Sequence, residues 1–264
     1  MSIAVYRTRE VVRDFATRTA LTPAEVAALG EVWPCVRGDL LDVGVGGGRT
    51  TGYLMGVARS YRALDISDEM IDACRSRFPD VDVSIGDART LDGHADGSYD
   101  LVLFSFNGID YVEFDERKAV LAACQRVLRP GGALVYSSHN LRVLGGRLPL
   151  VERPRIVPTL NPLRLAVRIG RAFRGHARRT RNRQRLADQQ VLGDSYALVN
   201  DEAYDYSMLT VYVDPDYERA ALTEAGFDGI TTIDFSGRRN PAVLNDPWIY
   251  YVGRKPGAAK APDA

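Results

Sequence analysis

Histidine and cysteine are scarce in this chain, with three of each in 264 residues. Cys35, Cys74 and Cys124 are far apart and form no C-x-x-C pair, so neither a disulfide framework nor a Cys-rich metal site is indicated. Free, buried thiols in a reducing compartment are predicted, and no metal is expected. No run reaches the ~18 apolar residues needed to cross a bilayer, and the first residues lack the apolar core of a secretory signal. A soluble, cytoplasmic protein is therefore expected. Net charge is also absent, since 34 basic residues balance 34 acidic ones. A chain that is basic along its whole length, as in many nucleic-acid binders, is excluded.

What the chain does have is a glycine-rich loop. Leu40-Leu41-Asp42-Val43-Gly44-Val45-Gly46-Gly47-Gly48-Arg49-Thr50-Thr51 reads as an apolar strand carrying an acid, then glycines at alternate positions 44, 46 and 48. Glycine permits positive φ and removes the Cβ that would keep a ligand off the backbone. A helix is expected over 50–57, and its unpaired N–H groups favour an anionic or acceptor-rich ligand. The dinucleotide spacing G-x-G-x-x-G fails, because Arg49 or Thr51 stands where its last glycine belongs. A turn without a ligand is the bland alternative.

Further strands each end in a polar residue. Tyr61–Asp65 precedes a helix with Ser67 as its expected N-cap. Val81–Ile85 runs into Gly86-Asp87-Ala88, Tyr99–Phe104 into Ser105-Phe106-Asn107, and Ala133–Ser137 into Ser138-His139-Asn140. Alternating strands and helices argue for a parallel sheet covered on both faces, with ligands at the strands' carboxyl ends. A carboxylate at the end of the second strand, Asp65, can accept from both hydroxyls of a ribose, and Asp87 can read an adenine edge.

With D-x-G-x-G-x-G at Asp42–Gly48 and acids at Asp65 and Asp87, residues 38–138 resemble class I S-adenosylmethionine-dependent methyltransferases of the small-molecule type. Glu218–Ala225 as a helix, Gly229–Phe235 as a strand and Trp248–Gly253 as a last, antiparallel strand extend the resemblance. It implies a doubly wound, mostly parallel α/β sheet of seven strands with a cap insertion. It also implies S-adenosyl-L-methionine as cofactor and S-adenosyl-L-homocysteine as product. The cofactor site would comprise Asp42, Gly44, Gly46, Gly48, Asp65, Ile66, Met70, Asp87, Ala88 and Asn107. The expected division is N-terminal helices over the cofactor site (1–37), the binding core (38–140), an arginine-rich cap (141–206), the rest of the sheet (207–255) and a disordered tail (256–264).

The zero net charge hides an asymmetry. Eleven arginines and no acid or lysine lie between Arg153 and Ala187, where Leu163–Phe173 and Thr180–Val191 read as two helical stretches. Three readings apply: a solvated basic face, paired with acids of this chain or of a homodimer; a site for an anionic substrate; or contact with nucleic acid or an anionic membrane. The Asn/Asp-Pro-Pro-aromatic motif of base-amino methyltransferases is replaced by Ser105-Phe106-Asn107-Gly108. That disfavours nucleic acid and favours a small-molecule acceptor, with tRNA or rRNA methylation and non-catalytic cofactor binding as rivals. Met208–Val213 alternates like a strand, and the tyrosines from Tyr196 to Tyr212 suit either a core or an aromatic pocket. For a nucleophile that must lose a proton, His139 is the foremost base and Tyr111 the second pocket candidate. A ring that only hydrogen-bonds the next loop is the structural reading of His139. An oxygen acceptor of secondary-metabolite or sugar type is expected, with nitrogen as the alternative.

Overall fold

Five parallel strands set the frame: β1 (Asp39–Val43), β2 (Ser60–Asp65), β3 (Asp82–Ile85), β4 (Tyr99–Phe104) and β5 (Leu128–Asn140), in the order β3-β2-β1-β4-β5. The structure is a computed structural model and describes residue 17 and residues 19–149 and 157–257. Arg153 and Arg155, the first sixteen residues and the end of the tail lie outside the described residues.

The helices are α1 (Pro23–Glu31), α2 (Trp33–Val36), α3 (Thr51–Leu54), α4 (Asp68–Arg77), α5 (Arg117–Val127), α6 (Pro162–Arg185) and α7 (Pro215–Glu224). Local chemistry fixes several ends. Thr22 and Glu25 form a capping box on α1, Ser67 accepts from the Met70 N–H of α4, and Asp214 caps α7 ahead of Pro215. Helix α3 is four residues long rather than filling 50–57, in a stretch where Gly52 and Gly56 disfavour a longer one.

Alternate residues of each central strand enter opposite cores, as a pleat of period two requires. Leu41, Val102, Leu134 and Tyr251 pack with α5 and α7, whereas Leu40, Leu101, Ala133 and Tyr250 pack with α1 and α2. Both faces are thus covered, and the strands read as apolar runs.

Among the described residues the sheet has ten strands rather than the expected seven. β10 (Trp248–Arg254) runs antiparallel to β5 and carries β9 (Asp228–Ile233) on its far edge. β5 outruns β4: Ala133–Tyr136 pair with β4, and His139 and Asn140 then pair in parallel with Tyr212 and Val213 of β8 (Thr210–Val213). β7 (Tyr196–Val199) and the two-residue β6 (Val191–Leu192) continue outward, antiparallel. The insertion at 141–206 is therefore not all cap, since its last part extends the sheet. The helical stretch expected over 180–191 is instead the end of one 24-residue helix, α6, followed by β6.

Candidate active site

The carboxyl ends of β1 to β4 converge on a cavity of about 330 Å³. Its position, at the β1/β4 reversal of strand order, is where open α/β sheets bind ligands.

The loop after β1 forms one wall. Gly44 has φ +65°, and a Cβ there would lie 2.8 Å from the Phe104 ring, so the loop can take this path only with glycine. The Gly46 N–H donates to Asp65 Oδ2 at 2.9 Å, and the Ser67 N–H donates to Oδ1 at 2.9 Å. The Asp65 carboxylate is thereby fixed, with acceptor capacity left over for ligand hydroxyls. Burial pushes its pKa up. Asp42 accepts from Thr50 Oγ1 at 2.5 Å and Tyr61 Oη at 2.8 Å. Burial pushes its carboxyl up to about 6, against the pull of those hydrogen bonds. Asp87 is held below the usual carboxylate range by Arg89, which also clamps Glu116 at 2.7 and 2.8 Å.

Of the predicted cofactor residues, Asp42, Gly44, Gly46, Asp65, Ile66, Met70, Asp87 and Ala88 line the cavity. Gly48 does not. With φ +80°, its missing Cβ lets the loop sit on Phe78 and Cys74, 2.9 and 3.0 Å from where a Cβ would lie. Asn107 also falls outside the wall. Phe106 and Asn107 both adopt positive φ, and the Asn107 backbone N–H donates to Ser137 Oγ at 2.8 Å. Its side-chain N–H donates to His139 Nε2 at 3.3 Å.

His139 is the larger departure, for it does not line the cavity. Its Nδ1 and its backbone N–H both meet Asp110 Oδ2, at 2.7 and 2.6 Å. Because a carboxylate only accepts, Nδ1 carries the proton and Nε2 is the acceptor for Asn107. Asp110 is fully buried and also receives Arg117 and Ser138, while Arg117 reaches Glu218 at 2.7 Å. The imidazole is one member of a polar network in which Asn107 Oδ1 is buried without a hydrogen-bond partner, and the Tyr212 ring lies 4.9 Å away.

Tyr111 does reach the wall, with Val112, Phe106 and Met208 beside it. Arg49, another wall residue, makes a buried pair with Glu25 of α1 (2.5 and 2.7 Å) and stacks over the Phe106 ring at 4.6 Å. Burial alone would raise the Glu25 carboxyl, but the guanidinium holds it below its ordinary value. The only sequence signal for this pair was a charged residue where the loop pattern wants glycine. Nothing signalled Met208 or Glu116. Tyr196, Tyr204, Tyr206 and Tyr212 lie off the wall, as do all α6 arginines; Tyr196 stacks on Phe114 at 3.6 Å. Among the described residues no group of three His, Cys, Asp or Glu is placed to hold a metal.

The match to known proteins falls on this same frame. A family model described as a methyltransferase domain matches residues 40–132, the stretch from β1 to the start of β5. Residues 40–132 form a class I S-adenosylmethionine-dependent methyltransferase domain.

The malonyl-[acyl-carrier protein] O-methyltransferase of Methylococcus capsulatus is 38% identical over 106 residues, which are 38% of this chain and 37% of that protein. The demethylmenaquinone methyltransferase of Renibacterium salmoninarum is 37% identical over 106 residues, 40% of this chain and 43% of that protein. The chain thus spans about two fifths of the length of the curated relatives it matches. A crystal structure of an S-adenosylmethionine-dependent methyltransferase from Mesorhizobium loti superposes with a TM-score of 0.58 at 19% identity, over 88% of this chain and 98% of that one. This last likeness extends the methyltransferase fold beyond the matched segment.

S-Adenosylmethionine is the cofactor of this methyltransferase class, and the wall suits it. A loop turned by the positive-φ glycines Gly44 and Gly46, the buried carboxylates Asp42 and Asp65 for hydroxyl and ammonium donors, and an aromatic end at Phe104 and Phe106 suit its amino-acid, ribose and sulfonium parts.

Proposed function

We propose that the chain transfers the methyl group of S-adenosylmethionine to an oxygen or nitrogen nucleophile on a small molecule with an apolar body. The observation that carries this reading is that one cavity joins Asp65 and Asp87 to Tyr111, Val112, Phe106 and Met208. The first pair suits the donor's nucleoside. The second group offers apolar surface with a single phenol.

When bound, the donor supplies a methyl on a good leaving group, so the protein has mainly to align the partners. Asp65, held by two backbone N–H groups, accepts from the ribose hydroxyls. Asp87, fixed by Arg89, stands at the adenine end. Asp42 and the open backbone at Gly44 and Gly46 take the amino-acid end. Tyr111 is the residue of this wall suited to orient the acceptor's hydroxyl or amine and to pass on its proton. His139, with both ring nitrogens engaged, acts on the site through Asn107 and Asp110 and is a positioning residue.

Oxygen is favoured over nitrogen because the Methylococcus capsulatus relative is named for O-methyl transfer. An apolar body is favoured because no arginine of α6 enters the wall. The test is incubation with methyl-tritiated donor and a panel of hydroxylated quinones, phenols, amino sugars and tRNA. Label is expected in a small hydroxyl compound, with loss of transfer in Tyr111→Phe. Label in tRNA alone would contradict the reading.

A further inference from the structure

Helix α6 is out of proportion to what it packs against. Its 24 residues span about 36 Å, and none is fully buried. At 100° per residue, Leu165, Ala166, Ile169, Ala172, Phe173 and Ala177 form one stripe, and Arg164, Arg168, Arg171, Arg174, Arg178 and Arg181 form the opposite one. Phe173 is 59% exposed, and Leu163 and Val167 at the helix start are 78% and 51% exposed. Among the described residues, Arg168 donates to the carbonyls of Val157 and Pro158 just ahead of the helix, and the last part is anchored: Arg178 and Arg179 pair with Asp205, and the Asn182 side chain donates to the Asp205 carbonyl at 2.9 Å. Arg164, Arg171 and Arg174 make no ion pair among the described residues.

We infer that α6 lies on the surface of an anionic phospholipid bilayer, with its apolar stripe among the acyl chains and its arginines at the phosphates. Charge and pattern together select this occupant. The helix carries nine arginines and no acid or lysine, so each guanidinium near an anionic surface adds attraction, while the long stems let the charges reach back to the headgroups. A nucleic acid would satisfy the arginines but leave Phe173 and Ile169 in water. A second copy packed stripe to stripe would cover Phe173 and Ile169 but leave both arginine rows on the outer faces with no anion to meet them. The inference does not rest on the methyl-transfer reading.

The test is co-sedimentation of the full chain with vesicles of phosphatidylcholine alone and of phosphatidylcholine with phosphatidylglycerol in equal parts. The chain should pellet with the anionic vesicles only, and less at high salt. The double variants Ile169→Ser/Phe173→Ser and Arg171→Glu/Arg174→Glu should each partition about tenfold less or weaker still. Their circular dichroism and melting midpoints should stay at the unsubstituted values, as expected for exposed sites. Phe173→Trp should show a blue-shifted emission on the same vesicles. Failure to pellet, pelleting unaffected by the Ile169→Ser/Phe173→Ser change, or full displacement by tRNA would each overturn the inference. So would a dimer in solution that this change turns into monomers.

Discussion

Asp42 and Asp65 face the same cavity, but their partners differ, and the difference is measurable. Asp65 receives two backbone N–H groups and keeps acceptor capacity for a ligand. Asp65→Ala should weaken S-adenosylhomocysteine binding by ~1–3 kcal/mol in calorimetry, the loss expected for charge-assisted hydrogen bonds. Asp42 receives side-chain hydroxyls in a dry site, and its carboxyl is pushed up to about 6 from an ordinary 3.8. The fold therefore binds that proton more tightly than the unfolded chain does. The resulting stabilisation is full below about pH 4 and lost as the pH rises through about 6. Asp42→Asn cannot ionise and escapes the loss. Its stability relative to the unsubstituted chain should improve between pH 4 and pH 7 by on the order of 2–3 kcal/mol, read from urea midpoints. His139→Ala should keep turnover within about tenfold and leave the pH profile unmoved, whereas a catalytic base would cost roughly 100-fold or more. Strand-end spacing made Asp42, Asp65 and Asp87 legible in the sequence. The same spacing pointed to Gly48, Asn107 and His139 as well, but Gly48 sits on Phe78 and Cys74, the Asn107 N–H is tied to Ser137, and the His139 ring turns to Asp110. A two-residue alternation cannot encode such contacts.

At the scale of elements, the glycine loop is braced from outside by α1. Arg49 replaces a loop glycine and pairs with Glu25 in a buried site. Arg49→Met alone should cost about 3–5 kcal/mol because it leaves a buried carboxylate unpaired, and Glu25→Leu added to it should recover most of the loss. Thermal or urea unfolding of the single and double variants checks this. The pair was not legible, because Glu25 reads as an ordinary capping-box residue and its second partner is distant in sequence. Helix α6 was half legible. Its arginines and two helical stretches stood out, but its continuity through Gly170 and Gly175 did not, since helix interiors disfavour glycine. The hand-over of the β5 edge from β4 to β8 was hidden too, for strand alternation says nothing of which edge a strand will take. It matters because β8 brings Tyr212 against His139 and follows Met208, a cavity residue.

At the scale of the whole molecule, alternating elements made a parallel sheet covered on both faces legible, and the order β3-β2-β1-β4-β5 found in the fold places the four strand ends around one cavity. Of the three added strands past β5, β8 was legible in the alternation of Met208–Val213, whereas β6 and β7 follow directly on an arginine-dominated segment where core patterning is absent. The donor half of the site is therefore well defined by sequence, and the acceptor half only by the folded chain. The most direct test of the central claim is calorimetric titration of the full chain with S-adenosylhomocysteine and, separately, with NAD. Saturable binding of S-adenosylhomocysteine, weakened by Asp65→Ala, with no heat from NAD is the predicted result. Saturable binding of NAD with no response to S-adenosylhomocysteine would contradict it.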